Sequence, residues 1–261
     1  MKQSNWKSSL IAGVVLGILT ILLQPTGYIP QTKNVFAANS AEKVLLKALQ
    51  SHTQWSSLDG EATLVQYDAD GVAHTDVILI SVAQPLQAKI SYKTTNDPEK
   101  TKKEWVSDGK MVYLIDKSNL SFVESPIPPF AKKVDFLPQN LTDLKPGEVY
   151  HHPFEMAISN PIMEYIYPGW FAQAPSGSRY QLLGEDEIAG RTTWKINLQT
   201  ATDNVTAWID QKTGIILKYE QESNGQKIVE MEMTSINFEK QFAPQDFSAP
   251  DKDKYKNSDT P

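Results

Sequence analysis

The feature that most constrains this chain is a strict alternation of apolar and polar residues, in runs punctuated by turn residues. Trp194-Lys195-Ile196-Asn197-Leu198 and Val229-Glu230-Met231-Glu232-Met233 are its clearest cases. Successive side chains of a strand point to opposite faces, so such runs require a sheet with one buried and one wet face. From Leu58 onward, runs rich in Val, Ile, Thr, Tyr and Trp are separated by Asp70-Gly71, Asp108-Gly109, Asp210 to Gly214 and Asn224-Gly225. This order predicts a meander of antiparallel strands. At Asn224-Gly225 a two-residue loop would set Tyr219 against Glu230 and put a charge on the apolar face. A three-residue loop, Ser223 to Gly225 with a bulge, is therefore predicted, setting Tyr219 against Val229 and Leu217 against Met231.

Other segments have a different period. Asn39 with Glu42 three residues later forms a capping-box pattern, and Ala41, Val44, Leu45, Ala48, His52 and Trp55 then recur at helical spacing, which predicts an N-terminal amphipathic helix. Between Glu124 and Ser178 the alternation stops, and nine of the sixteen prolines fall there; no regular sheet runs through such a stretch. Phe154, Ala157 and Ile158, and then Ile162 to Tyr167 ahead of Pro168-Gly169, predict two short apolar helices inside this insertion. Ile162, Met163, Ile166, Tyr167, Trp170 and Phe171 are too apolar for a solvated loop and need a surface to cover. Breaks at Pro161, Pro168 and Pro175 suggest a lid that moves in short pieces and tolerates polar substitution at Ile166 and Trp170. After Phe247 the chain is polar, so 248–261 is expected to be a flexible solvated tail.

The first 37 residues read as an export segment. Lys2 and Lys7 precede an uncharged apolar run, Leu10 to Leu23, and Val35-Phe36-Ala37 offers small residues for cleavage before Ala38; a cleaved signal and a retained membrane anchor are both compatible with this pattern. Either places the body outside the cytoplasm. The absence of cysteine excludes disulfides, thiolate metal sites and a lipid-modified cysteine. A net charge of −6, with Lys2, Lys7 and Lys33 all ahead of the first acid, Glu42, argues against nucleic acid as a partner.

Candidate chemistry is sparse. His151-His152 followed by Glu155 has metal-ligating residue types, but adjacent side chains diverge in an extended chain and the His-Glu-x-x-His spacing is missing, so a loop histidine pair is the better reading. Asp68-Ala69-Asp70-Gly71 starts like a calcium loop and lacks the later ligands, which leaves a hairpin turn. There is no Gly-x-Ser-x-Gly elbow or Ser-x-x-Lys motif, and the acid pairs Glu230/Glu232 and Glu185/Glu187 fall at positions where solvated carboxylates are ordinary. No catalytic residue, metal or cofactor is expected. What remains is an apolar stripe, Trp194, Ile196, Leu217, Tyr219, Val229, Met231 and Met233, which by pattern alone is more often filled core than ligand cavity.

Four segments carry a family resemblance: Trp105-Val106-Ser107-Asp108-Gly109-Lys110-Met111-Val112-Tyr113-Leu114-Ile115-Asp116; Gly190-Arg191-Thr192-Thr193-Trp194; Val205-Thr206-Ala207-Trp208-Ile209-Asp210 with Thr213-Gly214; and Asn224-Gly225. In this order they resemble successive hairpins of the LolA-like superfamily, which includes periplasmic lipoprotein carriers, mycobacterial lipid-binding lipoproteins and the sensor domain of RseB-like regulators. The resemblance covers most of Leu58 to Phe247. It implies a mainly β (α+β) fold over 38–247: a curved antiparallel half-barrel with an N-terminal helix and a helical lid from the insertion at about 124–178. It also implies a non-enzymatic binding protein that holds a lipid or an acylated protein against the stripe, with Ile166 and Trp170 in the lid. The alternative is an envelope-stress sensor or regulatory domain that binds a membrane-protein partner. Two departures from the family pattern are the long insertion and the absence of an RseB-like second domain, and a retained anchor would oppose a soluble carrier role.

Overall fold

The computed structural model describes residues 41–71, 73–94, 97–134, 136–144, 150–173 and 177–258, and side chains other than those of residues 94–100. The export segment, the Asn39 cap and Pro175 lie outside the described residues. Twelve strands form one sheet: β1 (Ser57–Tyr67), β2 (Ala73–Ala83), β3 (Gln87–Thr94), β4 (Asp97–Asp108), β5 (Met111–Asp116), β6 (Ser121–Pro126), β7 (Arg179–Ile188), β8 (Arg191–Gln199), β9 (Asp203–Asp210), β10 (Ile216–Ser223), β11 (Gln226–Asn237) and β12 (Lys256–Asn257). Their order is β12-β6-β5-β4-β3-β2-β1-β11-β10-β9-β8-β7. Two meanders thus meet where β11 pairs antiparallel with β1. The sheet is curved, mainly β and antiparallel, as the alternation requires.

Helix α1 (Ala41–Leu49) buries Ala41, Val44, Leu45, Ala48 and Leu49 on one side, but it ends before the rest of the expected stripe: His52 falls in a 3-10 turn, Ser51–Thr53, and Trp55 beyond it. We call the sheet face beneath α1 the inner face. The turn from β9 to β10 comes so close to α1 that a Cβ on Gly214 would lie 2.3 Å from the Lys47 carbonyl oxygen, and Gly214 has φ +79°. No other residue fits there without moving the helix. The same turn is tied by Asp210, 1% exposed, which accepts both Arg191 Nε and Nη2 at 2.8 Å and the Thr213 N–H at 2.7 Å and hydroxyl at 2.6 Å. Arg191 and Asp210–Gly214 are residues of two of the four segments that carry the family resemblance, and here they clasp one another.

The Asn224-Gly225 hairpin corrects the predicted three-residue loop. Ser223 pairs with Gln226 across a two-residue turn, with Asn224 at φ 51° and Gly225 at φ 78°, the conformation that Asn-Gly adopts most readily. The apolar register survives because the strands slip by one residue between Gln221 and Glu222, leaving Ile228 unpaired and setting Tyr219 against Met231. The bulge is present, but it lies in β11 rather than in the loop.

The tail is a second correction. Instead of being solvated, residues 248–258 return to the sheet, where β12 pairs in parallel with β6. Tyr255 is buried with Val106, Tyr113, Ile115 and Phe122 on the face opposite α1. Tyr255 anchors the segment together with the Lys256 and Ser258 N–H groups, which donate to the Leu120 and Phe122 carbonyl oxygens. Among the described residues no helix is long and apolar enough to cross a membrane.

Candidate functional site

Within the insertion, α2 (Ile162–Ile166) and α3 (Gly169–Ala172) are the only α-helices among the described residues. The first was expected; Phe154 to Ile158 makes only a single 3-10 turn, Glu155–Ala157, and α3 begins at the Gly169 that was read as a terminator. Ile162, Ile166 and Phe171 are fully buried, Tyr165 packs on Tyr219 with ring centroids 5.3 Å apart, and Trp55 stacks on Tyr167 at 5.7 Å. Glu164 is half-buried beneath them, where it accepts the Trp170 and Phe171 N–H groups at 3.1 and 2.7 Å. Burial pushes its carboxyl up to about 8, against those hydrogen bonds. The expectation of a loosely held, substitution-tolerant lid is corrected here: these side chains fill the core.

The predicted stripe is brought together. Register places Ile196 opposite Ala207, Ala207 opposite Tyr219, Tyr219 opposite Met231, and Met233 opposite Ala62, all on the inner face. Ile196, Leu217, Tyr219, Met231, Met233 and Ile166 are buried in one cluster, with Trp194, Val229 and Trp170 half-buried at its margin. In this structure they pack against α1 and α2.

Open space lies elsewhere on the inner face, beyond the reach of α2. A groove of about 750 Å³ runs between Phe130, Phe136, Leu144, Tyr150, Phe154 and Met156. A smaller one of about 260 Å³ continues from Met156 over Trp105, Val112, Leu114 and Val123. Pairing of Ile90 with Trp105, Trp105 with Leu114, and Leu114 with Val123 puts this second floor on the same face as the core. Leu114, Val123, Phe130, Phe136 and Met156 are all exposed. Sequence reasoning missed this trough because its walls come from β5, β6 and the irregular proline-rich stretch, where no period marks a face.

The histidines separate as an extended chain requires. His151 is exposed and its Nδ1 meets Glu155 Oε1 at 2.7 Å, while His152 turns inward. What sequence distance concealed is that His152 Nδ1 lies 3.3 Å from Nδ1 of His52. Neither Nε2 has a hydrogen-bond partner, and burial holds both rings neutral, His52 at about 4 and His152 well below the usual histidine range. Asp68-Ala69-Asp70-Gly71 is a hairpin turn, in which Asp68 accepts the Asp70 and Gly71 N–H groups at 3.0 Å.

No protein-family model matches the chain, and no curated protein does. Solved structures of similar fold include MucB, at 14% identity and a TM-score of 0.46 over 82% of this chain. An uncharacterised conserved protein from Thermus thermophilus matches at 11% identity and a TM-score of 0.48, over 83% of this chain and 97% of that one. A LolA-superfamily protein from Nitrosomonas europaea matches at 10% identity and a TM-score of 0.37, over 80% and 97%. The chain spans 64% of the MucB chain that it matches. These are likenesses of fold alone.

Proposed function

We propose that this chain is an exported, non-enzymatic binding protein that holds a lipid or an acylated ligand in the trough running from Phe136 past Met156 to Val123. The observation that carries this reading is an apolar inner face left uncovered at its β5–β6 end, directly beside a groove of about 750 Å³ with aromatic walls. A flexible hydrocarbon chain suits such a surface, since each methylene removed from water contributes about 0.8 kcal/mol and no directional partner is needed. Lys133 lines the same groove and offers a polar contact for a head group. The stripe around Ile196 and Met231 would join the site only if α2 lifted from it. Export is supported by the basic start and apolar run before Ala38.

Uptake of a fluorescent fatty acid by the full chain tests this. Met156 is exposed and shared by both grooves, so Met156→Arg should weaken uptake at least tenfold with little effect on thermal unfolding. Unchanged uptake would remove the trough as the site. Native mass spectrometry of the purified protein should show a copurifying lipid.

A further inference from the structure

Phe130, Ala131, Lys133 and Phe136 form one wall of the larger groove, and exposed apolar side chains crowd the stretch they belong to. Phe130 is 67% exposed, Val134 49% and Phe136 47%, a density of bare apolar side chains that water disfavours. Pro128 and Pro129 open a single 3-10 turn ending at Lys132, so the segment presents no strand edge for a protein partner to extend. Lys132 and Lys133 are interleaved with these side chains, both exposed, and neither makes an ion pair among the described residues. The two acids across the groove are already engaged. Asp143 accepts the Gln139 and Asn140 N–H groups at 2.7 and 2.9 Å, and Glu155 holds His151 and the His152 N–H.

We infer that this segment docks the protein on an anionic lipid surface, with Phe130, Val134 and Phe136 entering the acyl boundary and Lys132 and Lys133 meeting the head groups. Aromatic and aliphatic tips beside lysines are the combination that binds at a membrane interface, where the rings sit below the head groups and the ammonium groups at their level. Charge complementarity selects the occupant. The chain as a whole is acidic, at −6, and would be repelled by an anionic membrane in most orientations; here two adjacent exposed lysines outnumber the single acid of the stretch, Asp135. Phe130, Lys133 and Phe136 also line the groove, so docking would set its mouth against the lipid. That last consequence rests on the proposed acyl-binding role, whereas the docking itself does not.

The chain has no cysteine, so Val134→Cys carries a single environment-sensitive NBD label outside the groove lining. On vesicles of phosphatidylglycerol and phosphatidylcholine, the labelled full chain should brighten severalfold and be quenched by nitroxide lipids, whatever the N-terminal segment does. A label at exposed Ile228 should stay unchanged on the same vesicles. Charge reversal, Lys132→Glu with Lys133→Glu, should weaken the response at least fivefold, in line with about fivefold per lysine near such a surface. The pair Phe130→Ser and Phe136→Ser should abolish quenching while circular dichroism stays native. No brightening at position 134, or equal brightening on pure phosphatidylcholine, would overturn the proposal. Brightening that instead follows protein concentration without vesicles, with a dimer in light scattering, would overturn it in favour of a self-interface. Fatty-acid uptake measured separately without vesicles distinguishes failure of docking from failure of the trough.

Discussion

His52 and His152, a hundred residues apart, share one buried contact while both Nε2 atoms go without partners. Such a pair must remain neutral, and the folded state therefore resists protonation. The unfolded chain binds these protons near pH 6.5, whereas the folded chain binds that of His52 only near 4 and holds His152 well below the usual histidine range, so stability should fall as pH drops from 6.5 toward 4, by on the order of 1–3 kcal/mol. Glu164 acts in the opposite direction. Its folded value near 8 lies above the unfolded 4.5, so the stability it supplies is complete below 4.5 and lost as pH rises through 8. Urea unfolding from pH 4 to 9 should show both limbs; the double variant His52→Phe, His152→Phe should flatten the acid limb, and Glu164→Gln the alkaline one. Persistence of both limbs in the variants would assign them to other groups. Asp210→Asn should cost about 3–5 kcal/mol, read by the same urea unfolding, because the partly buried Arg191 guanidinium loses its charged partner. Of these groups the sequence made Asp210 conspicuous within a turn motif, but it could not disclose its partner or the His52–His152 contact, since both arise from chain closure over many residues.

At the scale of elements, the close approach of α1 to the β9–β10 turn makes Gly214 a joint rather than a loop filler. Gly214→Ala should destabilise by about 1–3 kcal/mol from backbone strain alone, and by more if α1 is displaced, read as a lowered urea midpoint. Ending the chain after Phe247 should expose Val106, Tyr113, Ile115 and Phe122 where Tyr255 covers them; a hydrophobic dye should then bind the truncated protein and not the full chain. Unchanged dye binding would mean that β12 pairs without contributing to the core. The strands were legible because alternation is a local code, visible in Trp194 to Leu198 and Val229 to Met233. The tail was not, because a single tyrosine in a charged segment carries no period. The Asn224-Gly225 turn shows the limit between these cases. Its residues name the two-residue type correctly, yet the register depends on a bulge at Ile228 that only packing of Tyr219 on Met231 demands.

For the molecule as a whole, the core and the proposed binding surface occupy different parts of one inner face. Ile166, fully buried, and Met156, exposed, should therefore respond oppositely: Ile166→Ala should cost about 2–5 kcal/mol of stability, while Met156→Arg should reduce uptake and leave unfolding nearly unchanged. If Ile166→Ala instead alters uptake at native stability, α2 does move as a lid. By itself the sequence determined an antiparallel sheet, one buried face, an amphipathic helix upon it and a proline-broken insertion, because period, turn residues and proline act over a few residues. Which stretch of the inner face would be filled and which left open was decided only by the tertiary structure. Apolar side chains look alike in a sequence whether a helix covers them or water does. The cover depends on how far α1 and α2 reach across a twelve-stranded sheet, and they stop short of Leu114 and Val123.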